Sequence, residues 1–343
     1  MTAQRDLPPL IGQSPAFLEV MEQASRAAPL ERPVLVIGER GTGKELIAQR
    51  LHFLSGRWDR PLVKVNCAAL PETLLETELF GHEAGAFTGA ARRRAGRFER
   101  ADGGSLFMDE IAGASLAAQE KILRVVEYGE MERVGSSATL RVDVRVIAAT
   151  NVDLPAEAAA GRFRNDLLDR LSFEVITVPP LRARSEDIAL LAEHFARAMA
   201  RELGWLTFPG FSAHALAALL DHPWPGNVRE IKNVAERAVY RWADETAPID
   251  DIPFDPFDSP FRPPAARPPT GAAPTETPAA PHRPPDAPLR LDLRAELAHT
   301  ERRLLEEALG SARFNQKAAA RRLGLSYDQL RNRLRKYDML ESR

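Results

Sequence analysis

The sequence contains a single cysteine, Cys67, among 343 residues. One thiol cannot form an internal disulfide, and so low a cysteine content is typical of proteins kept in a reducing compartment. The seven histidines and this cysteine show none of the spacings of a zinc site. Cys67 lies beside an apolar run, so we expect it to be buried and unreactive.

Long hydrophobic runs are also missing. No apolar stretch approaches the roughly 20 residues of a membrane-spanning helix. The N-terminus lacks the basic-then-apolar pattern of a secretory signal. The composition is 44% hydrophobic and 27% charged, with a formal net charge of −2, which indicates a soluble globular protein. The length suffices for two or three domains, and we expect a cytoplasmic, nucleoid-associated location.

A glycine-rich turn follows an apolar, β-branched run, Val34–Ile37, and precedes a predicted helix. A buried strand, a turn and a helix form the context of a phosphate-binding P-loop, in which backbone N–H groups surround phosphates and Lys44 reaches the outer ones. A chance glycine-rich turn is the alternative. Glu45 stands where Ser or Thr usually contacts Mg²⁺, so the metal must rely on other carboxylates and water. The predicted binding residues are Gly38, Glu39, Arg40, Gly41, Thr42, Gly43, Lys44 and Glu45.

Two acids follow the next apolar run, 105–108. This pattern is typical of a Walker B strand. Asp109 would then hold Mg²⁺, usually through water, and Glu110 would activate the attacking water as a general base. A helix cap is the alternative, and the P-loop in the same chain favours the catalytic interpretation.

Polar residues end two further predicted strands. Thr150 and Asn151 follow 144–149, and Asn66 ends 63–66. Ligands of open α/β sheets bind along this edge, where such side chains can sense the terminal phosphate and align water. Capping and turn roles remain alternatives for Thr150 and Asn66.

Three arginines are candidates for contact with nucleotide. Arg164 and Arg170 lie on a predicted Leu-rich helix, and an arginine offered to a neighbouring subunit stabilises charge in the transition state. The alternative is surface salt bridges with Asp166 and Asp169. Arg229 belongs to a second, helical region and is either a nucleotide contact or an exposed helix charge.

The hexapeptide Gly85, Ala86, Phe87, Thr88, Gly89 and Ala90 combines glycine at both ends with one aromatic residue and no charge. It predicts a mobile loop that presses an aromatic tip against another macromolecule. The alternative is a turn whose Phe packs into the core.

Together these motifs resemble the AAA+ domain of bacterial enhancer-binding proteins, the activators of sigma-54 RNA polymerase. The resemblance covers roughly residues 10 to 250 and resumes near the C-terminus. It includes the Glu at position 45, the segment 78–83 that leads into 85–90, and the segment 96–104.

The resemblance implies several residue roles. Asn66 would hold Glu110 in an unproductive pose, Thr150 and Asn151 would be sensors, and Arg229 would be the second sensor. Arg164 and Arg170 would act in trans within a ring, expected to be a hexamer. The loop 85–90 would contact sigma-54, and Arg133 and Val134 would form a second pore loop.

The resemblance implies an α/β fold with four regions. A parallel AAA+ sheet would occupy 1–180 and a helical lid 181–250, followed by a Pro-rich linker, 251–290, and a Fis-type helix–turn–helix domain, 291–343. Thirteen prolines lie between 253 and 288, which indicates an extended, semi-rigid segment.

The C-terminal region carries a concentrated positive charge. Between 313 and 336 there are eight Lys or Arg and one acid. A capping pattern at 326–329 starts the predicted recognition helix. DNA binding is favoured over a small dimerisation module. The candidate DNA contacts are Lys317, Arg321, Arg322, Ser326, Tyr327, Gln329, Arg331, Asn332, Arg333 and Lys336.

The P-loop begins close to the N-terminus, which leaves no room for a sensory domain upstream, so we expect control in trans. This arrangement resembles the phage shock activators, which a partner called PspA holds inactive through an exposed Trp. Trp58 occupies the matching place, and packing on its own loop is the alternative. Two rival functions remain: the ATPase of another remodelling machine, and a DNA-binding repressor with a vestigial nucleotide site.

Overall fold

The computed structural model describes residues 10–87, 90, 92–242, 244–259, 261–262, 293–312, 316–325 and 327–337, without the side chains of 293–300, 311, 317, 318 and 328. The chain forms two compact units, Met1–Arg262 and Pro263–Arg343. Thr88, Gly89, Ser326 and most of the predicted linker lie outside the described residues.

A five-stranded parallel sheet forms the centre of the first unit, in the order β2-β5-β8-β1-β9. All six residues of β8 are buried, as expected of a strand covered on both faces. The parallel register places Asn66 beside Asp109, and Ile37 beside Thr150, at the carboxyl edge. The strands are β1 (Val34–Ile37), β2 (Leu62–Asn66), β5 (Ser105–Asp109), β8 (Arg145–Thr150) and β9 (Glu174–Thr177).

Alternate strand residues bury into two cores, one on each face of the sheet. Val34 and Val36 pack with Ile47 and Leu51 on one face, whereas Leu35 faces the other. The helices of the first face are α1 (Pro15–Ala27) and α2 (Lys44–Phe53). The second face carries α3 (Glu72–Phe80), α4 (Arg97–Arg100), α5 (Leu116–Tyr128), α6 (Leu154–Ala159) and α7 (Asn165–Leu171).

Two antiparallel hairpins interrupt this α/β alternation. The first, β3 (Gly81–His82) with β4 (Arg94–Ala95), carries the hexapeptide between its strands. The second is β6 (Glu130–Glu132) with β7 (Thr139–Arg141). Val134, in the loop of the second hairpin, forms a bridge to His82 and so joins that loop to β3 of the first hairpin.

A helical lid follows the sheet and has its own core around the fully buried Trp224. It consists of α8 (Glu186–Glu202), α9 (Ala213–Asp221) and α10 (Asn227–Arg241), after a 3₁₀ turn, Leu181–Ala183. Buried Asp187 accepts hydrogen bonds from the backbone N–H groups of Gln13 and Ser14 and from the Ser14 hydroxyl at 2.6, 2.9 and 2.8 Å. The start of α1 is thereby fixed to the lid.

The second unit contains α11 (Leu293–Ser311), α12 (Gln316–Arg322) and α13 (Tyr327–Lys336). Leu305, Leu309, Ala320, Leu330 and Leu334 form its core. The expected α/β fold with a C-terminal all-α domain is confirmed. Among the described helices, none is long and apolar enough to cross a membrane, and the same residues contain no cluster of metal-ligating side chains.

Candidate functional site

The glycine-rich turn lies between β1 and α2, as the sequence predicts. Gly41 and Gly43 adopt φ of 79° and 98°, in the left-handed region that glycine occupies without a steric penalty. Lys44 is buried, and its Nζ donates to the carbonyl oxygens of Gly38 and Glu39 at 2.8 and 3.1 Å. Burial lowers the pKa of Lys44, opposed by the charges of Glu110 and Asp109. The ammonium group therefore lies at the mouth of a loop suited to phosphate.

Two neighbouring side chains point to other partners. The Thr42 hydroxyl donates to the Glu39 carbonyl at 2.9 Å, and Glu45 pairs with Lys64 at 2.7 Å. The pairing keeps Glu45 engaged with a cation on β2.

The lid binds the back of the P-loop through three successive carbonyl oxygens. Asn227 Nδ2 donates to Arg40 O at 3.0 Å, Val228 N to Gly41 O at 2.9 Å, and Arg184 to Thr42 O at 3.2 Å. Asn227 and Arg184 are almost completely buried. We call these three contacts the lid clamp. Sequence reasoning missed it, and its one visible signal was a polar residue that starts a helix directly after Pro225-Gly226.

Glu39 adds a charged contact to the lid clamp. Its carboxylate accepts two hydrogen bonds from Arg182, at 2.8 and 2.5 Å, and one from Asn227 at 3.1 Å. Hydrogen bonds from Arg182 and then Asn227 lower the pKa of Glu39 from 4.5 to about 2. The predicted phosphate-loop residue Glu39 therefore faces the lid.

The two predicted acids follow β5 at the same edge. Glu110 has φ of 51° and ψ of 49°, a left-handed conformation that is costly for a residue with a side chain and that clusters at functional sites. In the amide orientation that satisfies its neighbours, Asn151 donates to Glu110 Oε2 at 2.6 Å and accepts from Arg40 Nε at 3.1 Å. Asn151 is thus the amide that holds Glu110.

Asn66 and Thr150 end β2 and β8 at the carboxyl edge of the sheet, where each accepts hydrogen bonds from nearby backbone N–H groups. Asn66 Nδ2 lies 3.5 Å from Asp109 Oδ2, and its oxygen accepts from the N–H groups of Ala68 and Ala69. The amide lies on Asp109, and the control of Glu110 by Asn66 stays a prediction. The Thr150 hydroxyl is buried and accepts from Val152 N at 3.2 Å, which is a turn contact.

These groups converge on one cleft of about 800 Å³. Its lining contains Lys44, Asn66, Asp109, Glu110 and Arg229, and also Phe195 and Lys232 from the lid, which sequence reasoning missed. An adjoining apolar pocket of about 190 Å³ is lined by Ile11, Leu46, His194 and other residues of α1, α2 and α8. The carboxylate of Asp109 in this cleft is a hard oxygen donor, which fits a Mg²⁺ ion that takes its other ligands from phosphate and water.

Arg164 and Arg170 line a separate surface cleft of about 580 Å³. Arg164 is the residue before α7, and it pairs with Asp166 at 2.7 Å and with Glu120 at 3.5 Å. Arg170 lies within α7 and pairs with Glu127 at 2.5 Å. Both guanidinium groups are partly exposed, so a neighbouring anion can compete for them.

The described residues of the hexapeptide are Gly85, Ala86, Phe87 and Ala90. Phe87 is 43% exposed, and its ring meets that of His82 edge-on at 5.0 Å. Gly85 N donates to Ala90 O at 2.8 Å, which closes the loop. Phe87 is therefore neither packed in the core nor fully free.

The predicted second pore loop supports this base. Arg133 has a side chain only 8% exposed, and it pairs with Glu99 at 2.5 Å and with Glu83 at 2.8 Å. Val134 exchanges backbone hydrogen bonds with Gly81 and Glu83 at 3.0 and 3.1 Å. Arg133 therefore lies in a buried cluster of ion pairs with Glu83 and Glu99, at the base of the hexapeptide.

Trp58 is 63% exposed, in a turn that its neighbour holds in place. Arg57 donates to Glu31 at 2.6 Å, to Asp143 Oδ1 at 2.9 Å, and to the carbonyl oxygens of Gly104 and Asp143.

Cys67 is buried as expected, and burial raises the pKa of its thiol to about 12.

The helix–turn–helix unit exposes most of its predicted DNA contacts. Arg321, Arg322, Tyr327, Gln329, Arg331, Asn332, Arg333 and Lys336 lie on its surface. Glu301 of α11 pairs with Arg333 and, at 3.3 Å, with Lys336. Ser326 and the side chain of Lys317 lie outside the described residues.

Three family models match successive parts of the chain. A sigma-54 interaction domain matches residues 10–177, an AAA+ ATPase lid domain 182–265, and a bacterial regulatory protein domain of the Fis family 296–337.

Solved structures of NtrX from Brucella abortus in complex with ADP and with ATP each superpose with a TM-score of 0.67 at 31% identity. Each match covers 96% of this chain and 69% of NtrX.

Two relatives match most of the chain. The Nif-specific regulatory protein of Azotobacter vinelandii is 50% identical over 75% of this chain and 49% of its own length. The Psp operon transcriptional activator, PspF, of Escherichia coli K12 is 55% identical over 96% of this chain and 98% of its own length. The chain therefore belongs to the sigma-54-dependent transcriptional activators that combine an AAA+ domain with a Fis-type DNA-binding domain.

Proposed function

We propose that the chain is an ATPase that remodels sigma-54 RNA polymerase from the closed to the open promoter complex, from an upstream enhancer site in the cytoplasm. The observation that carries the proposal is the convergence of Lys44, Asp109 and Glu110 on one cleft, in a chain whose sigma-54 interaction domain is matched over 10–177. The basic helix–turn–helix unit would bind the upstream enhancer DNA.

ATP would bind with its phosphates in the P-loop and its adenine in the adjoining apolar pocket. Lys44 would exchange its two carbonyl partners for phosphate oxygens, and Arg229 would approach from the lid. The NtrX structures in complex with ATP and with ADP support this choice of nucleotide. Mg²⁺, when bound, would neutralise developing phosphate charge, and Asp109 would hold it through water.

Hydrolysis would require Glu110 to accept a proton from the attacking water. In the structure the Glu110 carboxylate accepts a hydrogen bond from Asn151, and Arg40 Nε lies 4.0 Å from Glu110 Oε1. Release of this contact is then the step that makes Glu110 available. Arg164 and Arg170 of an adjacent subunit would stabilise the transition state, which makes a ring, expected to be a hexamer, the active form.

Remodelling would act through the hexapeptide. Phe87 is partly exposed, and the loop base is joined through Arg133 to the β6–β7 hairpin. A displacement of that hairpin would therefore move the loop against sigma-54.

The decisive experiment is ATP-dependent open-complex formation on a sigma-54 promoter with purified chain. Glu110→Gln, which keeps the cleft but removes the base, is the matched control and should give no open complexes. Hydrolysis by the unaltered chain without promoter opening would indicate another remodelling machine. Promoter binding without hydrolysis would indicate a repressor with a vestigial nucleotide site.

Control in trans by a PspA-like protein is the second part of the proposal. The exposed Trp58 and the 55% identity to the Psp operon activator support it. Trp58→Ala should relieve inhibition of ATPase activity by such a protein. Tyr240→Ala, which removes an equally exposed aromatic from the lid, should leave inhibition intact. Equal inhibition of the Trp58 variant and the unaltered chain would reject the contact.

A further inference from the structure

Gln119 is a polar residue on the buried side of α5. Its side chain is completely buried, among Ala118, Ile122 and Val125 on the same helix. A buried amide needs hydrogen-bond partners, because a buried polar group without one destabilises the fold. Among the described residues, the hydrogen-bond partners of its side chain are backbone groups of two segments, 110–114 and 162–164.

One side of the amide contacts the segment that follows the hydrolytic acid. Gln119 Nε2 donates to Ala114 O at 2.7 Å. Ala114 ends a 3₁₀ turn that starts at Glu110, with Gly113 N bonded to Glu110 O at 2.8 Å and Ala114 N bonded to Ile111 O at 3.0 Å. A short, hydrogen-bonded stretch of backbone therefore joins Glu110 to Gln119.

The other side of the amide holds the start of α7. Gln119 Oε1 accepts from Arg164 N at 2.8 Å, and Nε2 also donates to Arg162 O at 3.2 Å. Arg164 is the cap residue of α7, and its own side chain forms no capping hydrogen bond. Gln119 therefore fixes the backbone from which the Arg164 guanidinium extends.

We propose that Gln119 is a positioning residue that links a subunit's own hydrolytic acid to the arginine which that subunit offers to its neighbour. The inference rests on the proposed function, since it requires Arg164 to act in trans. A displacement of the Glu110 backbone would reach Arg164 through Ala114 and one amide, whereas Glu110→Gln keeps that backbone link. The conformation at Glu110 in each subunit would thereby determine the position of the Arg164 guanidinium that the next subunit receives.

The first test compares two changes on the same helix. Gln119→Met keeps the volume and removes the three hydrogen bonds, and it should lower the kcat for ATP by about 10- to 100-fold, since small misplacements of catalytic groups cost this much. The affinity of its own site for an ATP analogue should stay within about twofold. Ser115→Ala, which removes the cap of α5, should lower thermal stability without this loss of kcat.

The second test separates a finger defect from a structural defect. Gln119→Met subunits are mixed with Glu110→Gln subunits, which cannot hydrolyse ATP but carry an intact Arg164. If Gln119 acts through the finger, activity should return to roughly a quarter of the unaltered level, because half of the subunits keep Glu110 and half of those receive an intact arginine. Arg164→Ala mixed with the same Glu110→Gln partner is the reference. If Gln119→Met assembles poorly, Gln119→Asn, which keeps a shortened amide, takes its place and should show the same recovery.

The outcomes distinguish the inference from the proposal beneath it. Recovery with Arg164→Ala but not with either Gln119 variant overturns the role of Gln119 and leaves the trans-acting arginine in place. No recovery with Arg164→Ala overturns the finger assignment, and the inference with it. Equal recovery of both, with unchanged nucleotide affinity, is the expected result.

Discussion

The two glycine-rich loops of the proposed ATPase unit each contain a glycine with positive φ, and the surroundings of these two glycines are opposite. Gly41 in the P-loop has φ of 79°, and Gly85 in the hexapeptide has φ of 82°. A Cβ on Gly41 would lie 2.2 Å from Gly226 O of the lid, whereas a Cβ on Gly85 would meet nothing within 4 Å. The first loop is enclosed by packing, and the second is held at its base.

This difference separates two functions of glycine. At Gly41 the absent side chain permits close approach of the lid, which then bonds the carbonyl oxygens of Arg40, Gly41 and Thr42. At Gly85 the absent side chain permits only the positive φ angle. The phosphate loop is thus enclosed by the lid, whereas Gly85 of the hexapeptide, which we call the contact loop (85–90), has open space where a Cβ would lie.

The largest expected effect comes from the same substitution in each loop. Gly41→Ala should reduce ATPase activity by at least about 100-fold, because the new methyl group clashes with Gly226 O and displaces the lid clamp. Gly85→Ala adds about 1–2 kcal/mol of backbone strain without a clash and should leave ATP hydrolysis within about twofold. Steady-state ATPase assays on both variants check the contrast, and equal losses would break it.

Thr88→Ala should abolish open-complex formation and spare ATP hydrolysis. The substitution removes a hydroxyl from the hexapeptide, which contributes no residue to the lining of the Lys44–Glu110 cleft among the described residues. Promoter opening and phosphate release are measured on the same preparation. Parallel loss of both activities would mean that the hexapeptide has a structural role.

Arg133→Met tests the base of the contact loop. It leaves Glu99 and Glu83 without their shared cation, and breaking so buried a cluster should cost about 3 kcal/mol of unfolding free energy. Arg197→Ala, which breaks an exposed pair with Glu193, should cost less than about 0.5 kcal/mol. Urea unfolding of the two variants provides the measurement, and similar costs would contradict the assigned burial.

The smallest effect concerns the charged part of the P-loop's lid contact. The pKa of Glu39 is lowered from 4.5 to about 2, so its stabilisation is complete above pH 4.5 and is lost as the pH falls toward 2. Because Glu39 and Arg182 are partly exposed, Glu39→Gln should cost only about 1 kcal/mol at pH 7. The difference in urea midpoint between this variant and the unaltered chain should narrow between pH 4.5 and pH 2. A difference that is constant with pH would contradict the ion pair.

Much of the site was predictable because its residues lie in short, continuous segments of the sequence. The P-loop, the acids after β5 and the polar ends of β2 and β8 follow from local patterns, and parallel pairing brings such strand ends to one edge. The prediction that Arg164 lies within a helix was slightly wrong, since it is the residue before α7. Gln119 gave only a weak signal, a polar residue on an apolar helix face.

The sequence by itself determined the elements of this protein: buried strands from β-branched runs, turns from glycine, and a phosphate and acid chemistry from residues adjacent in the chain. Only the tertiary structure decided which partner each polar group takes. Asn151 rather than Asn66 lies against Glu110, and Asn227 bonds to Arg40 from 187 positions away. Local patterns depend on neighbours in sequence, whereas the choice among distant partners depends on how the lid and sheet pack, since a buried polar group must satisfy its hydrogen bonds with whatever the packing brings to it.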